Sequence, residues 1–143
     1  MARPLLVPLL AVALAWPAAV LATGFGGDGP PTRIPVPARV FAATVEDISG
    51  ASVELSRVSL DGEVFLFGLV GEGQLSIPFE NLVEVRVEPT GDAAKRIALA
   101  RTASGELVRM TVDSDVPCYG DTTAGHFKIE LGKVRKVVFK PTP

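Results

Sequence analysis

The sequence predicts an all-β protein made of two tandem five-stranded meanders of about 52 residues each, packed as a β-sandwich or as paired small barrels. Three observations carry that expectation. The chain repeats itself without gaps, its apolar residues alternate with polar ones, and no stretch has a convincing helical period.

The repeat appears when the chain is slid along itself by 52 residues. Glu54, Leu55, Arg57, Asp61 and Val64 then match Glu106, Leu107, Arg109, Asp113 and Val116. Gly68, Gly73, Ile77, Val85 and Pro89 match Gly120, Gly125, Ile129, Val137 and Pro141. These are ten identities in the 36 positions from 54 to 89, where ordinary composition gives roughly two or three. Other pairs keep their character, such as Phe67 with Tyr119, Leu75 with Phe127 and Phe79 with Leu131.

Within the first copy the strands are expected at 39–47, 53–60, 63–70, 74–79 and 83–88, and in the second copy at the same places plus 52. Leu75, Ile77 and Phe79 alternate with Gln74, Ser76 and Pro78, which puts the apolar groups on one face. Phe127, Ile129 and Leu131 alternate in the same way with His126, Lys128 and Glu130. Val83, Val85 and Val87 are expected inside, with Glu84, Arg86 and Glu88 outside. Ser49-Gly50 and Ser104-Gly105 mark turns, and Asp61-Gly62 is a two-residue hairpin signal. The paired glycines Gly68 and Gly120 suggest positive φ or a close backbone approach. Residues 91–100 come nearest to a helix but align with a strand. A lone copy of this length would be marginally stable, which favours one shared core.

Ahead of the repeats, residues 1–22 read as a secretory signal. Arg3 precedes an uncharged apolar run from Leu5 to Leu21, and Val20-Leu21-Ala22 offers small residues before a cut after Ala22. Left uncleaved, the same run would be a short membrane anchor. No cysteine follows it to carry a lipid. Residues 23–38 are dense in Gly and Pro and are expected to form a flexible leader. The repeats then occupy 39–90 and 91–143. The expected location is therefore the periplasm or the extracellular space.

The formal charge of −2 excludes a strongly basic nucleic-acid binder. One Cys and one His exclude a disulfide framework and multi-cysteine zinc sites. The charge is unevenly divided. Residues 39–90 carry nine acids against three bases, and residues 91–142 carry six acids against nine bases. Such halves would attract, within one molecule or head to tail between two, unless they are merely two solvated faces. The basic set Lys128, Lys133, Arg135, Lys136 and Lys140 is the candidate interaction surface.

The densest polar stretch runs from Asp113 to His126 and holds the chain's only Cys, Tyr and His. A metal reading would use Asp113, Asp115, Cys118, Asp121 and His126, mixing soft and hard ligands at a spacing that fits no metal motif. The repeat argues for a simpler reading. Cys118 aligns with Leu66 and His126 with Gln74, positions suited to a buried hydrophobe and a solvent-facing polar group. A nucleophilic Cys118–His126 pair lacks a helix N-terminus to acidify the thiol. Neither Gly71-Glu-Gly73 nor Gly24-Phe-Gly-Gly27 has the strand–loop–helix setting of a phosphate loop.

The phrases Leu75-Ser-Ile-Pro-Phe-Glu-Asn-Leu-Val-Glu-Val and Tyr119-Gly-Asp-Thr-Thr-Ala-Gly-His-Phe-Lys-Ile-Glu-Leu-Gly-Lys-Val-Arg-Lys-Val-Val-Phe resemble short secreted, uncharacterised all-β proteins of Gram-negative bacteria. Their cadence is similar to Sm-like or SH3-like small-barrel modules of envelope proteins. The resemblance implies export and an all-β fold, and it brings no activity with it. The expected function is that of an exported, non-catalytic envelope module with no cofactor, binding another envelope protein or itself. The alternative is a small-ligand or metal-binding periplasmic protein using the 113–126 loop. Membrane contact is expected only through an uncleaved signal segment.

Overall fold

The computed structural model describes residues 30–31 and 33–141, so the signal segment and the first part of the leader lie outside the described residues. The ten strands are β1 (Ala43–Asp47), β2 (Ser52–Leu60), β3 (Phe65–Val70), β4 (Gly73–Pro78), β5 (Leu82–Pro89), β6 (Lys95–Thr102), β7 (Leu107–Asp113), β8 (Pro117–Asp121), β9 (His126–Glu130) and β10 (Val134–Phe139). All fall close to the strands read from alternation, and the 91–100 segment is strand from Lys95 onward. One-turn 3₁₀ helices at Phe79–Asn81 and Leu131–Lys133 precede β5 and β10. Each drives its first side chain into the core: Phe79 and Leu131 are both buried. Their backbone N–H groups donate to the carbonyls of Val64 and Val116 respectively.

The strands make one antiparallel, curled sheet in the order β4-β3-β7-β6-β5-β10-β1-β2-β8-β9. This corrects the expectation of two meanders. The Asp61-Gly62 turn does form, with positive φ at both residues, as a type I′ hairpin turn requires. It closes only the single bridge Leu60–Glu63. Beyond it β3 pairs with β7 at Leu69–Thr111. The reason is that both edges of β2 are taken. β1 lies on one side (Val45–Val53 and Ala43–Leu55), and β8 lies on the other (Ser59–Tyr119 and Leu60–Cys118).

Two glycines permit this exchange. A Cβ at Gly68 would come within 2.6 Å of the Thr111 carbonyl oxygen, and one at Gly120 within 2.8 Å of Leu55 Cβ. Both separations are shorter than any side chain tolerates, so β3 meets β7 and β8 meets β2 only because no side chain stands there.

One core gathers side chains from both halves, including Val45, Val58, Leu66, Phe79, Met110, Cys118 and Val134. The Phe79 ring meets Phe41 edge-on at 5.6 Å and Phe139 at 4.8 Å, spacings at which aromatic pairs attract beyond simple burial. The leader also contributes to the packing. Ile34 and Pro37 are buried, and Pro35 lies against Gly62, so these three residues of the expected leader touch the fold.

A second correction concerns β5. Its register shifts between Leu82 and Glu84, which turns Val83 outward at 38% exposure and draws Glu84 in at 9%. Glu84 is ion-paired with Arg86 and Arg101, both at 2.7 Å. The hydrogen bond from Arg86 is the main cause that holds its carboxyl below the usual range.

Candidate functional site

The Asp113–His126 stretch does not converge on one point. β8 places Cys118 on the core face, where it is fully buried, and burial pushes its thiol pKa up to about 12. Asp121, next on the chain's outer side, meets His126 Nδ1 at 2.7 Å through the β8–β9 pair Asp121–His126. The other Asp121 oxygen takes the Arg57 guanidinium. Arg57 reaches it from a bulge in β2, with φ of +49° and a register shift between Ser56 and Ser59. The His126 hydrogen bond first, and then Arg57, keep the Asp121 carboxyl below its ordinary pKa against the cost of burial. Asp113 is elsewhere, ion-paired with Lys95, and Asp115 is exposed on the β7–β8 turn. Among the described residues no group of three or more His, Cys, Asp or Glu side chains is arranged to hold a metal ion.

The basic set is largely committed within the molecule. Arg135 reaches Glu46 at 3.3 Å and also donates to the Ile48 carbonyl. Lys136 lies 3.8 Å from Glu46, and Lys140 lies 3.4 Å from Glu54. Lys128 sits over the Tyr119 ring at 5.9 Å. Lys133 is exposed, and its backbone carbonyl accepts from Ile48 N–H. The opposite charges of the two halves thus meet inside one chain, because β1 pairs with β10 over Ala43–Phe139 to Asp47–Val134.

The most site-like feature lies at the other end of the sheet. β3 and β7 share only the Leu69–Thr111 pair and splay apart toward Phe65 and Asp113. The opening is a slot of about 300 Å³. Its floor is apolar, with Leu60, Leu66, Val112 and Leu131. Phe67 and Leu69 stand at its mouth, 49% and 39% exposed, and Val70 follows at 46%. Asp61, Glu63 and the Lys95–Asp113 pair complete the rim. Among the described residues neither Asp61 nor Glu63 has an ion-pair partner for its carboxylate.

The sequence held a signal for this surface. β3 reads Phe-Leu-Phe-Gly-Leu-Val, an apolar run rather than an alternation. At the positions 52 residues later, Phe67, Leu69 and Val70 become Tyr119, Asp121 and Thr122. One end of the sheet is closed by a polar cluster, and the other presents bare hydrocarbon. Arg57 has its counterpart in Arg109, which is exposed and has no carboxylate partner among the described residues.

A family model described as "Uncharacterised protein" matches residues 37–142, and the chain belongs to that family. No curated protein and no solved structure matches the chain.

Proposed function

We propose that the protein is an exported, non-catalytic interaction module, built from two tandem copies of one β unit that exchange strands, and that its contact surface is the β3–β4 end of the sheet. The observation that carries the reading is the exposed apolar pair Phe67 and Leu69 lining the slot. Clustered hydrocarbon of this kind, rimmed by charge, marks a contact surface more often than a solvated face.

Several features support the tandem organisation. β6, β8 and β10 begin 52 residues after β1, β3 and β5, and the two 3₁₀ turns are also 52 residues apart. Exchanging each strand with its counterpart five places along reverses the sheet order and leaves it otherwise unchanged.

The character of the sheet edges supports a protein partner. β9 exposes or half-exposes His126, Lys128 and Glu130, charges that discourage strand addition, whereas β4 carries no charge and turns Gln74 and Ser76 outward, with Pro78 guarding only its last position. Export rests on the signal at residues 1–22. A non-catalytic role fits a buried thiol and an Asp121–His126 pair held by Arg57 rather than set beside a nucleophile.

The reading is tested by comparing native-host envelope fractions captured on the wild-type protein and on the Phe67→Ser/Leu69→Asp variant, with the mass of the exported protein taken from the same preparation. A partner lost by the variant and a chain beginning at Thr23 support it. Identical captures, or a chain retaining residues 1–22, contradict the contact surface or the processing respectively.

A further inference from the structure

The slot between β3 and β7 combines two features that a general contact surface does not need. Its floor is hydrocarbon, with the buried side chains of Leu66 and Leu131 beneath the opening. Its rim is acidic: Asp61, Glu63 and Asp113 face a single cation, Lys95, and that cation is already bound to Asp113. Two carboxylates are therefore left at one side of an apolar opening.

The β2–β3 turn fixes that arrangement. Asp61 and Gly62 both take positive φ, Asp61 N–H donates to the Pro117 carbonyl at 2.7 Å, and Glu63 exchanges hydrogen bonds with Leu60. The carboxylates are thus carried on a turn tied to β2 and β8, preorganised rather than mobile.

The shape of the slot selects an extended chain. Its lining follows β3 from Phe65 to Leu69 and β7 from Thr111 to Asp113, so a segment laid along those strands touches both walls. An extended peptide matches that shape and places successive side chains alternately down and up.

We propose, on the basis of the interaction reading above, that the slot seats an extended segment of a partner protein. In that segment an apolar side chain lies next to Lys or Arg. The apolar group enters between Phe67 and Leu131, and the neighbouring cation meets Asp61 and Glu63. A partner with an acidic segment of the same hydrophobicity is rejected, because its carboxylates would face two unpaired ones.

Fluorescence anisotropy of the full-length exported protein with two labelled peptides tests this. One is Gly-Lys-Leu-Lys-Val-Lys-Gly, and the other carries Glu at each Lys position. The Lys peptide is expected to bind about tenfold or more tightly than the Glu peptide, from two screened ion pairs. Its affinity should fall about threefold to tenfold in Asp61→Asn/Glu63→Gln and as salt is raised. Asn is chosen at 61 because it tolerates positive φ. Tyr119→Ser, at the opposite end, should leave binding unchanged. Equal binding of the two peptides, both lost in Phe67→Ser, overturns the charge selection while leaving the interaction surface in place. Binding of neither peptide, or binding lost in Tyr119→Ser and kept in Phe67→Ser, overturns the slot itself.

Discussion

Gly68 lies so close to Thr111 that a Cβ on it would stand 2.6 Å from the Thr111 carbonyl oxygen. The Met110 terminal methyl would be only slightly farther, at 2.8 Å. This contact joins β3 of the first half to β7 of the second and sets the closed end of the slot. Gly68→Ala is therefore expected to destabilise the fold by about 1–3 kcal/mol through overpacking against backbone. Gly120→Ala should cost a similar amount, because its nearest neighbour is Leu55 Cβ at 2.8 Å, an atom that no change of rotamer moves. Urea unfolding of the two variants checks both.

The buried polar atoms near β8 give a second expectation. Ser59 Oγ is buried with no hydrogen-bond partner among the described residues. Ser59→Ala should leave stability unchanged or raise it by up to about 1 kcal/mol, since an unsatisfied hydroxyl is removed. Cys118, with its thiol pushed up to about 12, should resist alkylation in the native protein at pH 8 and react fully in urea. Mass spectrometry after iodoacetamide treatment reads both states.

Acid should act through Asp121 and Glu84. Both carboxyls have native pKa values lowered from 3.8 and 4.5, so the stabilisation they give is present above the unfolded values and is lost as pH falls through the native ones. The urea midpoint is expected to be nearly flat from about pH 8 to 5 and to drop below about pH 4. Asp121→Asn should flatten part of that drop. A variant whose acid profile matches the wild type would contradict the role given to Asp121.

At the slot, stability and binding should separate. Leu69 is 39% exposed and is the β3 residue paired with Thr111 of β7, so Leu69→Asp, which places there the residue found at position 121, should cost about 1–2 kcal/mol and leave the protein folded. The same substitution should abolish binding of the Lys peptide even though it adds negative charge, because it removes hydrocarbon from the mouth of the slot. Thermal melts and anisotropy on one preparation make the comparison.

Much of the local structure was legible in the sequence because period-2 alternation and turn chemistry are local. The Asp61-Gly62 turn, the close approaches at Gly68 and Gly120, and the buried Cys118 opposite the exposed His126 all follow from residue type and the 52-residue register. Strand pairing was not legible. An apolar run marks β3 as a strand, and it does not say whether β2 or β7 supplies the neighbouring edge. The hairpin signal favoured β2, but β8 holds that edge. Val83 and Glu84 were misassigned for a related reason, since one shifted register in β5 exchanges their environments. The slot escaped because Phe67 with Tyr119 reads as agreement between copies. The informative pair is Leu69 with Asp121, where the two ends of the sheet part company.

The most direct test of the account is site-specific photo-cross-linking in the native host, with a benzophenone side chain at position 67 in one strain and at position 119 in another. The account predicts a discrete adduct from position 67 that disappears when Leu69→Asp is added, and no matching adduct from position 119. An adduct from 119 alone, or one from 67 that survives Leu69→Asp, would contradict it.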